Sequence, residues 1–68
     1  MIETEEMTFH GWKFTNDGEQ TWIESPALVA TGSLSQAEDL GSIDAPDWGR
    51  VPVPRIVIRA AQRFESSL

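Results

Sequence analysis

The chain contains no cysteine and a single histidine, His10. Without thiols there is no disulfide to staple a small fold and no thiolate metal site, and a secreted, oxidising setting gains no support. One histidine also rules out a Cys-His nucleophile pair, a zinc set of nitrogen and sulfur ligands and an H-E-x-x-H helix. A Ser-His-Asp set exists only as inventory, since no serine stands in a G-x-S-x-G elbow. The five glycines are scattered singly, so no phosphate-cradling loop is present. Asp39, Asp44 and Asp47 lack the alternation of a calcium-binding loop and read as a solvated acidic segment. No apolar run approaches the roughly 20 residues of a membrane-spanning helix, and Glu3, Glu5 and Glu6 are the opposite of a signal or transit peptide. The expectation is a cytoplasmic protein that is not an enzyme, with no cofactor, no metal site and no membrane partner.

What the chain does have is charge segregated by position. Residues 1–47 carry ten acids against Lys13 alone, a net −9, while residues 48–68 carry Arg50, Arg55, Arg59 and Arg63 against Glu65, a net +3. Two oppositely signed surfaces govern which partners approach and how fast. The overall −6 disfavours a direct grip on nucleic acid, because neutralising phosphates supplies most of that affinity. It favours a basic protein partner, many of which handle nucleic acids themselves. At 68 residues the chain makes one domain. A domain this small buries about 60% of the surface its unfolded form exposes, so its stability is marginal. Residues 1–7 are expected to fray.

The pattern predicts an α+β fold built on a three-stranded antiparallel sheet. Residues 8–24 read as a β-hairpin reversing at Asn16-Asp17-Gly18, whose residues supply the positive φ values that hairpin turns require. Pro26 marks a bend, and residues 27–31 read as a short third strand. Ser33 and Gln36 have capping-box spacing for a short helix, with Leu34, Ala37 and Leu40 on one face and Gly41 as terminator. Residues 42–54, with three prolines, read as an ordered loop pinned by Ile43 and Trp48. A C-terminal helix from about residue 55 places Ile56, Val57, Ala60, Ala61, Phe64 and Leu68 within an arc of about 140°, with Ile58 misplaced. The alternative makes residues 51–59 an edge strand preceding a shorter helix.

Several side chains admit two readings. His10 reads most plainly as a surface or hydrogen-bonded sheet residue. Trp12 and Trp22, on the two arms of the hairpin, read as a cross-strand aromatic pair on the core, or else as exposed interface anchors. Trp48 is either a lid over the core or a projecting anchor. Arg55, Arg59 and Arg63 repeat at i, i+4 and i+8, as a solvated stripe, as intramolecular ion pairs, or as a contact for an acidic or phosphate-bearing partner.

The stretch Gly18-Glu19-Gln20-Thr21-Trp22-Ile23-Glu24-Ser25-Pro26-Ala27-Leu28-Val29-Ala30-Thr31-Gly32-Ser33-Leu34-Ser35-Gln36-Ala37-Glu38 resembles the core of HicB-type antitoxins. That family has a strand ending in an acidic residue, then x-Pro-x-Leu, a short strand into Thr-x-Gly-x-Ser/Thr, and a helix opening Leu-x-x-Ala. Glu24, Pro26, Leu28, Gly32, Ser33, Leu34 and Ala37 take approximately those places. The resemblance covers about a third of the chain. It implies a β-β-β-α core used to grip a protein. By charge and size alone, the chain is also similar to the acidic anti-CRISPR proteins of phages, which block basic nucleic-acid-binding surfaces.

The functional expectation is a non-enzymatic acidic inhibitor or adaptor that docks on a basic, nucleic-acid-handling protein. The residues expected to carry it are Glu5, Glu6, Asp17, Glu19 and Glu24, with Trp48 as anchor and Arg55, Arg59 and Arg63 as the counter-charged surface. The alternatives are a small homo-oligomeric module, a homodimer being the simplest, and DNA binding through the arginine row.

Overall fold

A computed structural model describes residues 4–68, apart from the side chain of Leu28. The class is α+β, with two helices on one face of a six-stranded antiparallel meander whose spatial order equals its sequence order. The expected three-stranded sheet is thus half of the observed one. Its strands are β1 (Glu5–Phe9), β2 (Trp12–Asn16), β3 (Thr21–Glu24), β4 (Thr31–Ser33), β5 (Ser42–Ala45) and β6 (Gly49–Pro52), and the helices are α1 (Leu34–Leu40) and α2 (Arg55–Ser66).

The expected first arm of the hairpin is two strands. Phe9 pairs with Trp12 across a two-residue turn in which His10 and Gly11 both have positive φ, 49° and 84°. That is the signature of a primed turn, whose twist matches that of the flanking strands. Gly11 reads as one more alternating strand residue, which hides the reversal. His10 therefore sits in a turn and not in a strand. Of the expected fraying segment, residues 1–3 lie outside the described residues, and Glu5, Glu6 and Met7 pair with Asn16, Thr15 and Phe14.

The Asn16-Asp17-Gly18 reversal holds, with β3 beginning at Thr21. Asn16 Oδ1 accepts the Gly18 N–H at 2.8 Å, and Asp17 Oδ1 accepts those of Glu19 and Gln20, each at 2.9 Å. This four-residue connection sets Thr15 opposite Trp22 and Phe14 opposite Ile23. A one-residue difference in parity moves a side chain to the other face. Trp12 consequently packs against the core while Trp22 points to solvent, and the expected Trp12–Trp22 pair does not form. The aromatic pair of the core is Phe14 with Phe64, ring centroids 6.1 Å apart.

Pro26 bends the chain as expected, but the third strand begins later. Residues Pro26–Leu28 form a 3-10 turn with Ala27 at φ 61°, and β4 starts at Thr31. Buried Ser25 closes this excursion: its backbone N–H donates to the Ala30 carbonyl at 2.9 Å, and its hydroxyl accepts the Ala30 N–H at 2.8 Å. A side chain that satisfies a neighbouring N–H competes with the sheet ladder, which is why residues 27–30 leave it.

Helix α1 follows its local signals. The Ser33 hydroxyl accepts the Gln36 N–H at 3.1 Å, and Gly41 ends the helix in the left-handed region. Such a cap is worth about 1 kcal/mol. Leu34 and Ala37 are buried, whereas Leu40, expected beside them, is exposed. The segment expected to be a loop is instead the β5–β6 hairpin, with Ile43 opposite Val51. Its prolines mislead because none needs a ladder donor: Pro46 lies in the turn, Pro52 on an edge strand and Pro54 just before α2. Ile43 is fully buried, but Trp48 at the turn is 73% exposed and pins nothing.

Helix α2 begins at Arg55, and residues 51–52 belong to β6, so the helical reading holds and the strand alternative survives only in its first two residues. The buried stripe is Val57, Ala60, Ala61 and Phe64. Ile56 and Leu68, expected within it, are exposed, and Ile58, expected to be misplaced, packs against the core. Beneath the helices, Phe14, Ile23 and Ile43 are each 0% exposed. By strand alternation the other face of the sheet carries Thr8, Lys13, Thr15, Trp22, Glu24, Thr31, Asp44 and Arg50, and no helix covers it.

Candidate partner-binding surface

Three carboxylates from separate elements line one cleft. In a meander the β2–β3 turn and the β4–α1–β5 crossover lie at the same end of the strands, which brings Glu19 and Glu38 together. The last turns of α2 add Glu65. These three line one cleft of about 330 Å³ with Gln20, Thr21, Leu34 and Ser35. Thr21 fixes the third wall: Asn16 Nδ2 donates to its hydroxyl at 3.0 Å, and the hydroxyl donates to Glu65 Oε2 at 2.8 Å. Glu38 Oε2 accepts from Gln62 Nε2 at 2.7 Å, tying α1 to α2. The hydrogen-bond partners of Glu38 and Glu65 are neutral, while Arg55 and Arg59 border an adjoining cleft with Glu38.

Asp17 stands on the same turn as Glu19 but does not line the cleft. The backbone N–H groups of Gln20 and Glu19, followed by the Trp22 indole N–H, hold its carboxyl below the ordinary carboxylate range. The indole Nε1–H reaches Asp17 Oδ2 at 3.3 Å. Trp22 is 40% exposed on the open face of the sheet, so an aromatic surface adjoins the acidic turn. Large exposed aromatic side chains beside a charged rim are the composition of interface hot spots.

The other expected residues separate from this end. Glu6 is spent on Lys13, Oε1 to Nζ 2.8 Å, the one ion pair among the described residues. Lys13 in turn has its pKa raised, first by the hydrogen bond to Glu6, then by the charges of Glu6 and Glu24. Glu24 stands opposite Lys13 in the sheet register. Glu5 is exposed on β1, on the helix side of the sheet. Trp48 occupies the β5–β6 turn, at the end of the strands opposite Asp17 and Glu19, and does not join them.

Arg55, Arg59 and Arg63 are exposed, and among the described residues none has a carboxylate within ion-pair distance. The intramolecular pairing considered for them does not occur there. Arg55 and Arg59 border a shallow cleft of about 320 Å³ with Glu38, Ile58 and Gln62. Arg59 and Arg63 border a second groove, of about 430 Å³, with Met7, Phe9, Ile56 and Ala60.

Of the nine expected residues, Asp17 and Glu19 come together, and Trp22, Glu38 and Glu65 complete their surroundings. Trp22 was legible as a candidate anchor, but its exposure rests on register. Glu38 carried no signal beyond its place on a capped helix, and Glu65 none at all. No group of three or more His, Cys, Asp or Glu among the described residues is arranged to hold a metal ion. No helix among them is long and apolar enough to cross a membrane. No known protein family, curated protein or solved structure matches the chain.

Proposed function

We propose that this chain is a non-enzymatic acidic inhibitor or adaptor that presents the Asp17, Glu19, Glu38 and Glu65 end, anchored by Trp22, to a basic surface of a nucleic-acid-handling protein. Support for this reading comes from the cleft that Glu19, Glu38 and Glu65 line together, with neutral hydrogen-bond partners, at the end of the sheet where Trp22 stands exposed on the opposite face. Carboxylates in such an array offer arginine and lysine the charge-assisted contacts that phosphates would otherwise make. The opposed potentials speed the encounter, and burial of Trp22 slows dissociation. Antitoxin-like and anti-CRISPR-like action are both instances of this competition. The weight of negative charge argues against direct binding to nucleic acid.

The partner recovered with tagged protein from its native lysate serves for the test. Its association rate with the chain is expected to fall steeply between low and physiological salt. The triple neutralisation E19Q/E38Q/E65Q should slow association, and Trp22→Ala should raise the dissociation rate about tenfold or more. The control Asp47→Asn, in the β5–β6 turn at the opposite end of the strands, should change both little. Rates indifferent to ionic strength would exclude the mechanism.

A further inference from the structure

The two edges of the sheet are built differently. β6 contains Pro52 and is followed by Pro54, which deny donors to an incoming strand. β1, Glu5-Glu6-Met7-Thr8-Phe9, has no proline and no bulge, and it pairs with β2 along its whole length. Its far side is a row of backbone groups that no other described strand meets. Beside that edge the apolar layer is left open. Met7 is 37% exposed and Ile56 is 63% exposed, and with Phe9 and Ala60 they form a groove bordered by Arg59 and Arg63. An edge with neither proline nor bulge, next to exposed apolar side chains, is a template for strand addition.

We propose that a second copy of this chain occupies the groove, adding its own β1 antiparallel to the first across a two-fold axis at Met7 and continuing the sheet from one subunit into the other. The strand is complementary to itself in this register. Met7 meets Met7 of the second copy, Glu5 stands opposite Phe9 and Glu6 opposite Thr8, so no carboxylate faces a carboxylate. Like charges directly opposite would have opposed the pairing. Glu5 shares the helix side of the strand with Met7 and Phe9, so Glu5 of the second copy lies over the groove and meets its arginine border. Each copy supplies both the acidic strand and the guanidinium rim, as a two-fold interface requires. The contact would also cover Ile56, whose exposure the fold of one chain leaves unexplained. This surface shares no residue with the acidic cleft or with Asp17 and Trp22, so either reading can fail without the other.

Sedimentation equilibrium of the full chain from micromolar to millimolar concentration tests the proposal. The expected result is a reversible approach to twice the 7.6 kDa chain mass. Met7→Lys, a charge placed inward on the edge, should weaken association at least tenfold while leaving the far-ultraviolet circular dichroism unchanged. Should that variant unfold, the exposed pair Glu5 and Arg59 decides: Arg59→Glu alone should weaken the dimer, and E5R/R59E should restore it. A monomer at every concentration would overturn the proposal, as would a dimer that neither Met7→Lys nor Arg59→Glu weakens. A monomer whose β1 amide resonances shift only on adding an extended acidic peptide would assign the groove to a foreign strand and equally overturn it.

Discussion

Phe14→Ala is expected to cost a large share of the stability of the fold. Phe14 is completely buried in β2, faces Ile23 across the β2–β3 register and packs against Phe64 of α2, so it joins the sheet to the helix that covers it. Truncating a buried phenylalanine to alanine costs about 3–5 kcal/mol, the lost transfer energy plus the cavity left behind. A domain of this size has roughly 3–10 kcal/mol in total, at about 0.05–0.15 kcal/mol per residue. The substitution therefore removes a large share of all the stability there is. Phe14→Leu, which keeps most of the volume, should cost markedly less. Urea unfolding followed by circular dichroism reads both variants. A loss below about 1 kcal/mol for the alanine variant would mean that the core is not centred on Phe14.

The second large effect is expected at Gly32, where β4 runs beside β5. A Cβ there would lie 2.6 Å from Gln36 Oε1, 2.7 Å from Ile43 Cγ2 and 2.8 Å from Ile43 Cβ. The Gln36 amide is the end of a flexible side chain and can swing aside. Ile43 is fully buried and cannot. Gly32→Ala should therefore cost about 1–3 kcal/mol by overpacking, and Gly32→Val more. Adding Gln36→Ala should not rescue it, because the clash that matters is with Ile43. A Gly32→Ala protein with the parent's urea midpoint would show that β4 and β5 are farther apart than this packing requires.

Local signals in the sequence were legible, and long-range ones were not. The Ser33 cap and the Gly41 terminator act within a few residues, so α1 could be placed from its own segment. The Asp17 turn is equally local. The count of strands failed because His10-Gly11 makes a turn inside an unbroken alternation, and because three prolines resemble a loop when each merely sits where no donor is needed. The face of Trp22 depended on the four residues between Asn16 and Thr21, a parity that composition does not reveal. For the candidate surface, the segregation of acids from arginines was plain in the chain. Which acids meet was not: Glu19, Glu38 and Glu65 come from a turn and two helices, and only their packing brings them to one cleft.

A basic surface is expected to meet the end of the fold that carries Asp17, Glu19, Glu38 and Glu65, with Trp22 on the open sheet face at that same end. The decisive measurement is a titration of isotopically labelled protein with a short arginine-rich peptide at low and at physiological salt, following backbone amides and indole N–H groups by NMR. Shifts are expected to concentrate at Asp17, Glu19, Glu38, Glu65 and the Trp22 indole and to fade as salt is raised, with the Trp48 indole unmoved. Shifts spread evenly over all the exposed carboxylates, or centred on Asp47 and the Trp48 indole at the other end of the strands, would show that a basic surface does not select this end.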